Sequence, residues 1–222
     1  MPTLYGHPFS RAHRVLWMLK ELAIPYTHIP TGFQDGGCRT PEYLAINPNG
    51  RVPALVDGDL TLFESLAINL YLARKFAGGG APPLCPGSAA EEALATQWSF
   101  WAATEVEKPL IFAAANLILF PPADRRPAEA ELALRRLDRP FTVLEGHLAR
   151  QDFLIGDRFT VADLNVAAVM SLIPLAGIDI SQYPKMSVWL DACLQRDAAA
   201  DWKPIRFTIP RPPDAVLLSR FM

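Results

Sequence analysis

The chain has 222 residues, half of them apolar, with 21 basic against 23 acidic side chains. That length supports one large domain or two small ones, and the balanced charge without a Lys/Arg-rich run excludes a nucleic-acid partner. Cys38, Cys85 and Cys193 are widely scattered, there is no CxxC pair and the four histidines share no metal spacing, so we expect reduced thiols, no metal and a cytoplasmic protein.

The first third reads as alternating strand and helix. Pro2 to Tyr5 is a strand, and Ser10 caps a helix running to about Leu22, with Val15, Met18, Leu19 and Leu22 at helical spacing. Pro25 to Ile29 is a second strand. Val52 to Val56 and Leu60 to Phe63 flank Asp57-Gly58-Asp59, a hairpin signal. A helix follows from Ser65, with Leu66, Ala67 and Leu70 on one face. The order β-α-β then β-β-α predicts a small layered α/β domain over residues 1–77.

The breaker-rich run Ala77-Gly-Gly-Gly-Ala-Pro-Pro-Leu-Cys-Pro-Gly-Ser88 predicts a linker over 78–88, and everything from 89 to 222 reads as helical. Ala89 to about Lys108 predicts one helix, with Leu94, Trp98, Trp101 and Glu105 at i+3/i+4 steps. Another helix starts near Ala128, and Pro140 inside it should kink or split it. Thr160 caps a further helix with Asp163 at the third position, a weakened capping box beside a Phe159–Leu164 staple. That helix is apolar on most sides and is expected to be buried. The Met1 to Val15 stretch lacks the pattern of a secretory leader. The apolar stretches near Leu110 to Phe120 and Val161 to Ile180 are too short or too interrupted to span a bilayer.

Glu64-Ser65 at a helix start has two readings. It can be a cap, with an acid beside the positive helix end. It can also be an anion site, since the first N–H groups of a helix have no internal partner.

Four motifs occur in order: Ser10 followed by Arg-Ala-His-Arg-Val-Leu-Trp17; Asn47-Pro-Asn-Gly-Arg-Val-Pro-Ala-Leu55; Phe63-Glu-Ser-Leu-Ala-Ile68; and Phe153-Leu-Ile-Gly-Asp-Arg-Phe-Thr-Val-Ala-Asp163. Together they resemble the cytosolic glutathione S-transferase family, serine type, with theta- and zeta-like members. The resemblance extends to about Trp202. It implies a thioredoxin-like N-terminal domain that binds glutathione as co-substrate, an all-helical domain lining an electrophile pocket, and a homodimer with a detoxifying role. It also implies that Pro53 is a cis-proline and that Val52 pairs its backbone with the cysteinyl part of glutathione. Glu64 would accept from the γ-glutamyl ammonium, and Ser65 with the helix N-terminus would take the carboxylate. Arg39 and Arg51 fall where the family has cations near the glycyl carboxylate, although Cys38 stands where the theta-like pattern has His.

By the same resemblance Ser10 stabilises the glutathione thiolate, which attacks a small hydrophobic electrophile. Tyr5 is the alternative activator. Ser10 can also be only an N-cap, Trp98 and Trp101 can be core rather than pocket wall, and His7 and His13 read as polar residues near the cleft mouth. The rival functions are a non-catalytic ligand carrier or interaction module, and a glutathione-dependent isomerase, dehalogenase or peroxidase. The Pro-rich tail from about Lys203 matches nothing, and it either folds over the cleft or runs over the surface.

Overall fold

The computed structural model describes residues 1–32, 36–78, 84–199 and 209–213. The N-terminal third is a four-stranded mixed sheet carrying helices. Strand β1 (Thr3–Tyr5) pairs in parallel with β2 (Thr27–Ile29) and antiparallel with β3 (Ala54–Asp57), which pairs with β4 (Leu60–Phe63). The order is β2-β1-β3-β4. The inner strands supply the apolar centre: Leu4, Ala54 and Leu55 are fully buried. Helix α1 (Ala12–Glu21) connects β1 to β2, the short α2 (Pro41–Ile46) precedes β3, and α3 (Ser65–Lys75) follows β4.

The hairpin loop is Gly58-Asp59, so Asp57 closes β3 instead of entering the turn, opposite Leu60. The reason is local: the Asp57 carboxylate accepts from the Tyr71 hydroxyl at 3.0 Å and from Lys75, both on α3. The α3 face predicted from Leu66, Ala67 and Leu70 is rotated. The helix buries Ile68, Leu72 and Ala73, while Ala67 is exposed.

The remainder is helical. It comprises α4 (Ala89–Trp101), α5 (Glu107–Ala114), α6 (Pro127–Leu148), α7 (Val161–Met170), α8 (Leu172–Ala176) and α9 (Pro184–Leu194). The single helix expected from Ala89 to Lys108 is interrupted. A π-helical turn spans Ala102–Val106 and a second one, Ala115–Leu119, ends α5. The buried stripe runs through Ala95, Trp98, Ser99, Ala102 and Val106 to Leu110, not through Leu94 and Glu105. Trp98 is core, with its ring 5.1 Å from Trp101 and 4.8 Å from His147. Pro140 does not split α6. The ring removes one backbone hydrogen bond, but a face of Ala130, Ala133, Leu137, Phe141, Leu144 and Leu148 stays buried on both sides of it.

All ten residues of α7 are buried, and its Thr160/Asp163 capping box is complete in both directions. One apolar cluster runs without a break from Leu4 through α1 and α3 into α4–α7 and α9. Asn165 on α7 crosses that junction: it accepts from the Asn69 amide at 2.8 Å and donates to the Leu66 carbonyl and the Ser99 hydroxyl. Glu21 at the end of α1 accepts two bonds from Arg196, at 2.6 and 2.8 Å, and one from the Trp17 indole. The two parts are thereby held face to face, with the α1 and α3 N-termini near the helical part. Much of the expected tail lies outside the described residues. Its described piece is pinned by Ile209 N–H to the Leu119 carbonyl, and by Arg211 to Asn116 and Glu129. Among the described residues no helix is long and apolar enough to cross a membrane.

Candidate functional site

β1 delivers the chain to a tight loop. Gly6 has φ +145°, and a Cβ there would lie 2.7 Å from the Ala12 Cβ, so the loop and α1 approach too closely for any side chain at this position. Ser10 follows, in the turn that opens α1. Its hydroxyl donates to the His7 carbonyl at 2.7 Å and accepts from the Ala12 N–H at 3.1 Å. Ser10 therefore does cap the first turn, although the regular helix starts two residues later. A sulfur acceptor would have to draw the hydroxyl proton from His7. Tyr5 places its ring in a packing cluster with Cys38, Tyr43 and Ala54, edge-on to Tyr43 at 6.1 Å.

Asn47 builds the next piece. It is buried, donates to the Arg51 carbonyl at 2.7 Å and accepts from the Asn49 N–H at 3.1 Å. The Tyr43 hydroxyl donates to the same Arg51 carbonyl at 2.6 Å. These bonds fix the backbone leading into Val52 and Pro53, whose peptide bond is cis. Arg39 and Arg51 keep exposed side chains, and Arg39 lies across Gly50, where a Cβ would come within 2.7 Å of its Nη1.

Ser65 is not the N-cap expected of it. It is the first residue of α3, and Glu64 occupies the cap position with φ +70° and no capping side-chain bond. A non-glycine residue with φ in this range is strained. The Glu64 carboxylate is exposed and meets no donor among the described residues. Ser65 is buried, and its hydroxyl accepts from Arg14 Nη1 at 3.4 Å.

Arg14 leads to residues that motif reading missed. Its Nη2 donates to Glu107 Oε1 at 2.6 Å, and Arg11 Nε donates to the same oxygen at 2.5 Å. Burial pushes the Glu107 carboxyl up, but the Arg14 and Arg11 charges and hydrogen bonds outweigh it and hold the group down to about 2. Arg14 is 3% exposed, and its Nε has no hydrogen-bond partner among the described residues. Nothing local signals these pairs, which lie 93 and 96 positions apart. His13 is not at the cleft mouth in the expected sense. It is wedged between the Ser10 carbonyl, 2.8 Å from Nδ1, and the Ala168 carbonyl, 3.4 Å from Nε2. Burial and the Arg14 charge lower its pKa to about 3, so it is neutral at physiological pH.

The structure thus puts Ser65 on the buried Arg14, one turn along α1 from the Ser10 turn, and leaves Glu64 exposed beside Ser65. Val52 and Pro53 adjoin this loop, since the Gly6 position also faces the Val52 Cβ at 3.3 Å. Among the described residues no group of three His, Cys, Asp or Glu side chains could hold a metal. A cavity of about 250 Å³ lies at the opposite, C-terminal end of α3, lined by Leu22, Arg74, Phe76, Leu84 and Cys85.

Residues 2–74 match the family model for the glutathione S-transferase N-terminal domain, and residues 108–197 match that for the C-terminal domain. The chain is 35% identical to glutathione S-transferase 3 of Zea mays, over 95% of each chain. It is 32% identical to glutathione S-transferase GstB of Escherichia coli strain K12, over 89% of this chain and 95% of that one. Among solved structures it resembles the theta class glutathione S-transferase of Xanthomonas axonopodis pv. citri with glutathione bound. The TM-score there is 0.81 with 31% identity, covering 90% of this chain and 95% of that one. Glutathione transferase F2 of Populus trichocarpa superposes with a TM-score of 0.83 at 26% identity, covering 90% and 96%.

Proposed function

The chain belongs to the glutathione S-transferase family, and on that premise we propose that it binds glutathione, holds the thiol as thiolate at Ser10 and transfers it to a small hydrophobic electrophile. The observation that carries the site assignment is the Glu64–Ser65 pair. Glu64 holds a strained backbone conformation, and its carboxylate meets no donor among the described residues, which a mere helix cap has no reason to do. Glu64 takes the γ-glutamyl ammonium, and Ser65 with the α3 N-terminus takes the carboxylate. Val52, next to the cis-proline, offers its backbone to the cysteinyl part, and Arg39 and Arg51 lie toward the glycyl end.

The thiolate is the nucleophile, so ionising the thiol is the chemical contribution of the site. Lowering its pKa by about two units requires about 2.7 kcal/mol of preferential stabilisation. The Ser10 hydroxyl, turned from His7 to the sulfur, together with the α1 N-terminus is of that order. Tyr5 is disfavoured by its engaged ring. The helical part forms the wall for the electrophile.

We also read the protein as a cytoplasmic homodimer. Leu60 and Phe63 on the edge strand β4, and Leu94 and Phe100 on α4, are exposed apolar side chains that a second copy would cover. Light scattering at micromolar concentration checks this. The function is tested by ultraviolet difference spectra with glutathione across pH. A thiolate band persisting well below the free thiol's pKa is expected, and Ser10→Ala should remove it and slow conjugation by about ten- to a hundredfold. Full turnover in Ser10→Ala would overturn the mechanism. Binding without a band would favour a carrier.

A further inference from the structure

We propose that Glu107, reaching in from the helical part, is a positioning residue for glutathione transfer that holds Arg11 beside Ser10 and Arg14 behind Ser65. This rests on the glutathione site proposed above.

Both guanidiniums converge on one oxygen, Glu107 Oε1, at 2.5 and 2.6 Å. Arg11 belongs to the turn that carries Ser10, and its side chain is half exposed. Arg14 is one turn further on, buried, and touches the Ser65 hydroxyl. A single carboxylate therefore holds the guanidinium of the residue that follows Ser10 and the guanidinium that contacts Ser65. Arg14 depends on it. Its other side-chain contact, to Ser65, is long at 3.4 Å, and its Nε is unpartnered among the described residues. Without Glu107 this buried cation would lose the one carboxylate hydrogen-bonded to it among the described residues.

The electrostatic setting points the same way. Arg11 and Arg14 face Glu107, with Glu64 a further negative charge acting on Arg14, close to the positive N-termini of α1 and α3. Glutathione bound as proposed brings its carboxylate to Ser65, which Arg14 contacts, and its sulfur to Ser10, which Arg11 follows in the same turn. An interdomain staple alone needs one arginine. The second, half-exposed arginine beside Ser10 is what a staple leaves unexplained. The π-helical turn Ala102–Val106 ends directly before Glu107, so irregular backbone sets the direction in which this side chain enters.

The test measures the bound-thiol pKa by thiolate absorbance, together with KM for glutathione and for an aryl halide electrophile. The variants are Arg11→Gln, Arg11→Lys, Glu107→Gln and Ser10→Ala. Removing the Arg11 charge should raise the bound-thiol pKa by about half to one unit, with the thermal midpoint moved by less than about 2 °C. Arg11→Lys should restore at least part of the shift. Glu107→Gln should raise KM for glutathione about three- to tenfold and leave the electrophile KM in place. Unmoved thiol pKa and glutathione KM in the Arg11 and Glu107 variants, with only heat resistance lost, would overturn the inference. If Glu107→Gln does not fold, the Arg11 pair decides alone. A moved pKa in Ser10→Ala beside unmoved Arg11 and Glu107 variants sinks this inference only. A wild-type protein with no thiolate band sinks it together with the site reading.

Discussion

Replacing Asp163 should cost more stability than any other single change to the helical part, and the replacement by Asn should be nearly as harmful as that by Ala. Asp163 is fully buried. Oδ1 accepts from the Leu154 N–H at 2.8 Å and from the Trp189 indole at 3.0 Å, and Oδ2 accepts from the Thr160 N–H at 2.9 Å and its hydroxyl at 3.0 Å. Burial pushes the carboxyl up, but three of its four donors are N–H groups that cannot accept a proton from it. Ala orphans those three groups at about 1–3 kcal/mol each. Overlap between them brings the sum to about 3–6 kcal/mol, a large part of the 5–15 kcal/mol typical of a whole domain. Asn keeps one acceptor oxygen and must aim its NH2 at the other pair of donors, whichever way it flips, so about 2–4 kcal/mol should be lost. Urea unfolding at one protein concentration, followed by tryptophan fluorescence and far-ultraviolet dichroism, measures both. An Asn variant within about 0.5 kcal/mol of wild type would refute the reasoning, because it would mean the second oxygen is not needed.

Three further outcomes follow from the site. Glu64→Gly should relieve the φ +70° strain, holding or raising stability by about 1 kcal/mol. It should also weaken glutathione binding at least about tenfold; calorimetry showing an unchanged Kd would reduce Glu64 to a structural role. Glu107, held near 2 against an unfolded value of 4.5, contributes stability that is complete above about pH 4.5 and is lost as pH falls toward 2. Compared with Glu107→Gln, wild type should lose roughly 1 kcal/mol more between pH 7 and pH 3.5, and a flat difference in a pH series of urea melts contradicts the assignment. Gly6→Ala must force a Cβ to 2.7 Å from Ala12. It should cost at least about 2 kcal/mol and lower kcat by displacing Ser10, so a fully active variant with unchanged melting would show that the loop yields freely.

Features whose partners lie within a few residues could be read directly. The Thr160/Asp163 box is one, since cap and acid are three positions apart. The fully buried α7 is another, because it is apolar on most sides. Register at element edges was harder. Whether Asp57 belongs to the turn or the strand depends on Tyr71 and Lys75, and no strand pattern contains them. The π-helical turns escaped because i+3/i+4 spacing assumes a constant 3.6-residue period, and an inserted residue rotates everything after it by about 100°. That accounts for Glu105, which lies inside the first π-helical turn and is exposed, while Leu94, before it, is exposed for no reason the turn supplies.

The candidate site divides along the same line. Ser10, Val52, Pro53, Glu64 and Ser65 sit in short motifs, and the family resemblance those motifs carry is what implies their roles. What those motifs left open was the role of Glu64-Ser65 as cap or clamp, because both readings want the same two residue types. A backbone angle bears on the choice. Glu64 at φ +70° makes no capping side-chain bond, and Ser65 is the first helical residue with its hydroxyl on Arg14. The counter-charge for that arginine comes from Glu107, 93 positions along the chain on another helix. On the proposed reading the site has two layers: short loops supply the groups that would meet the substrate, and a carboxylate from the helical part would fix the cations behind them.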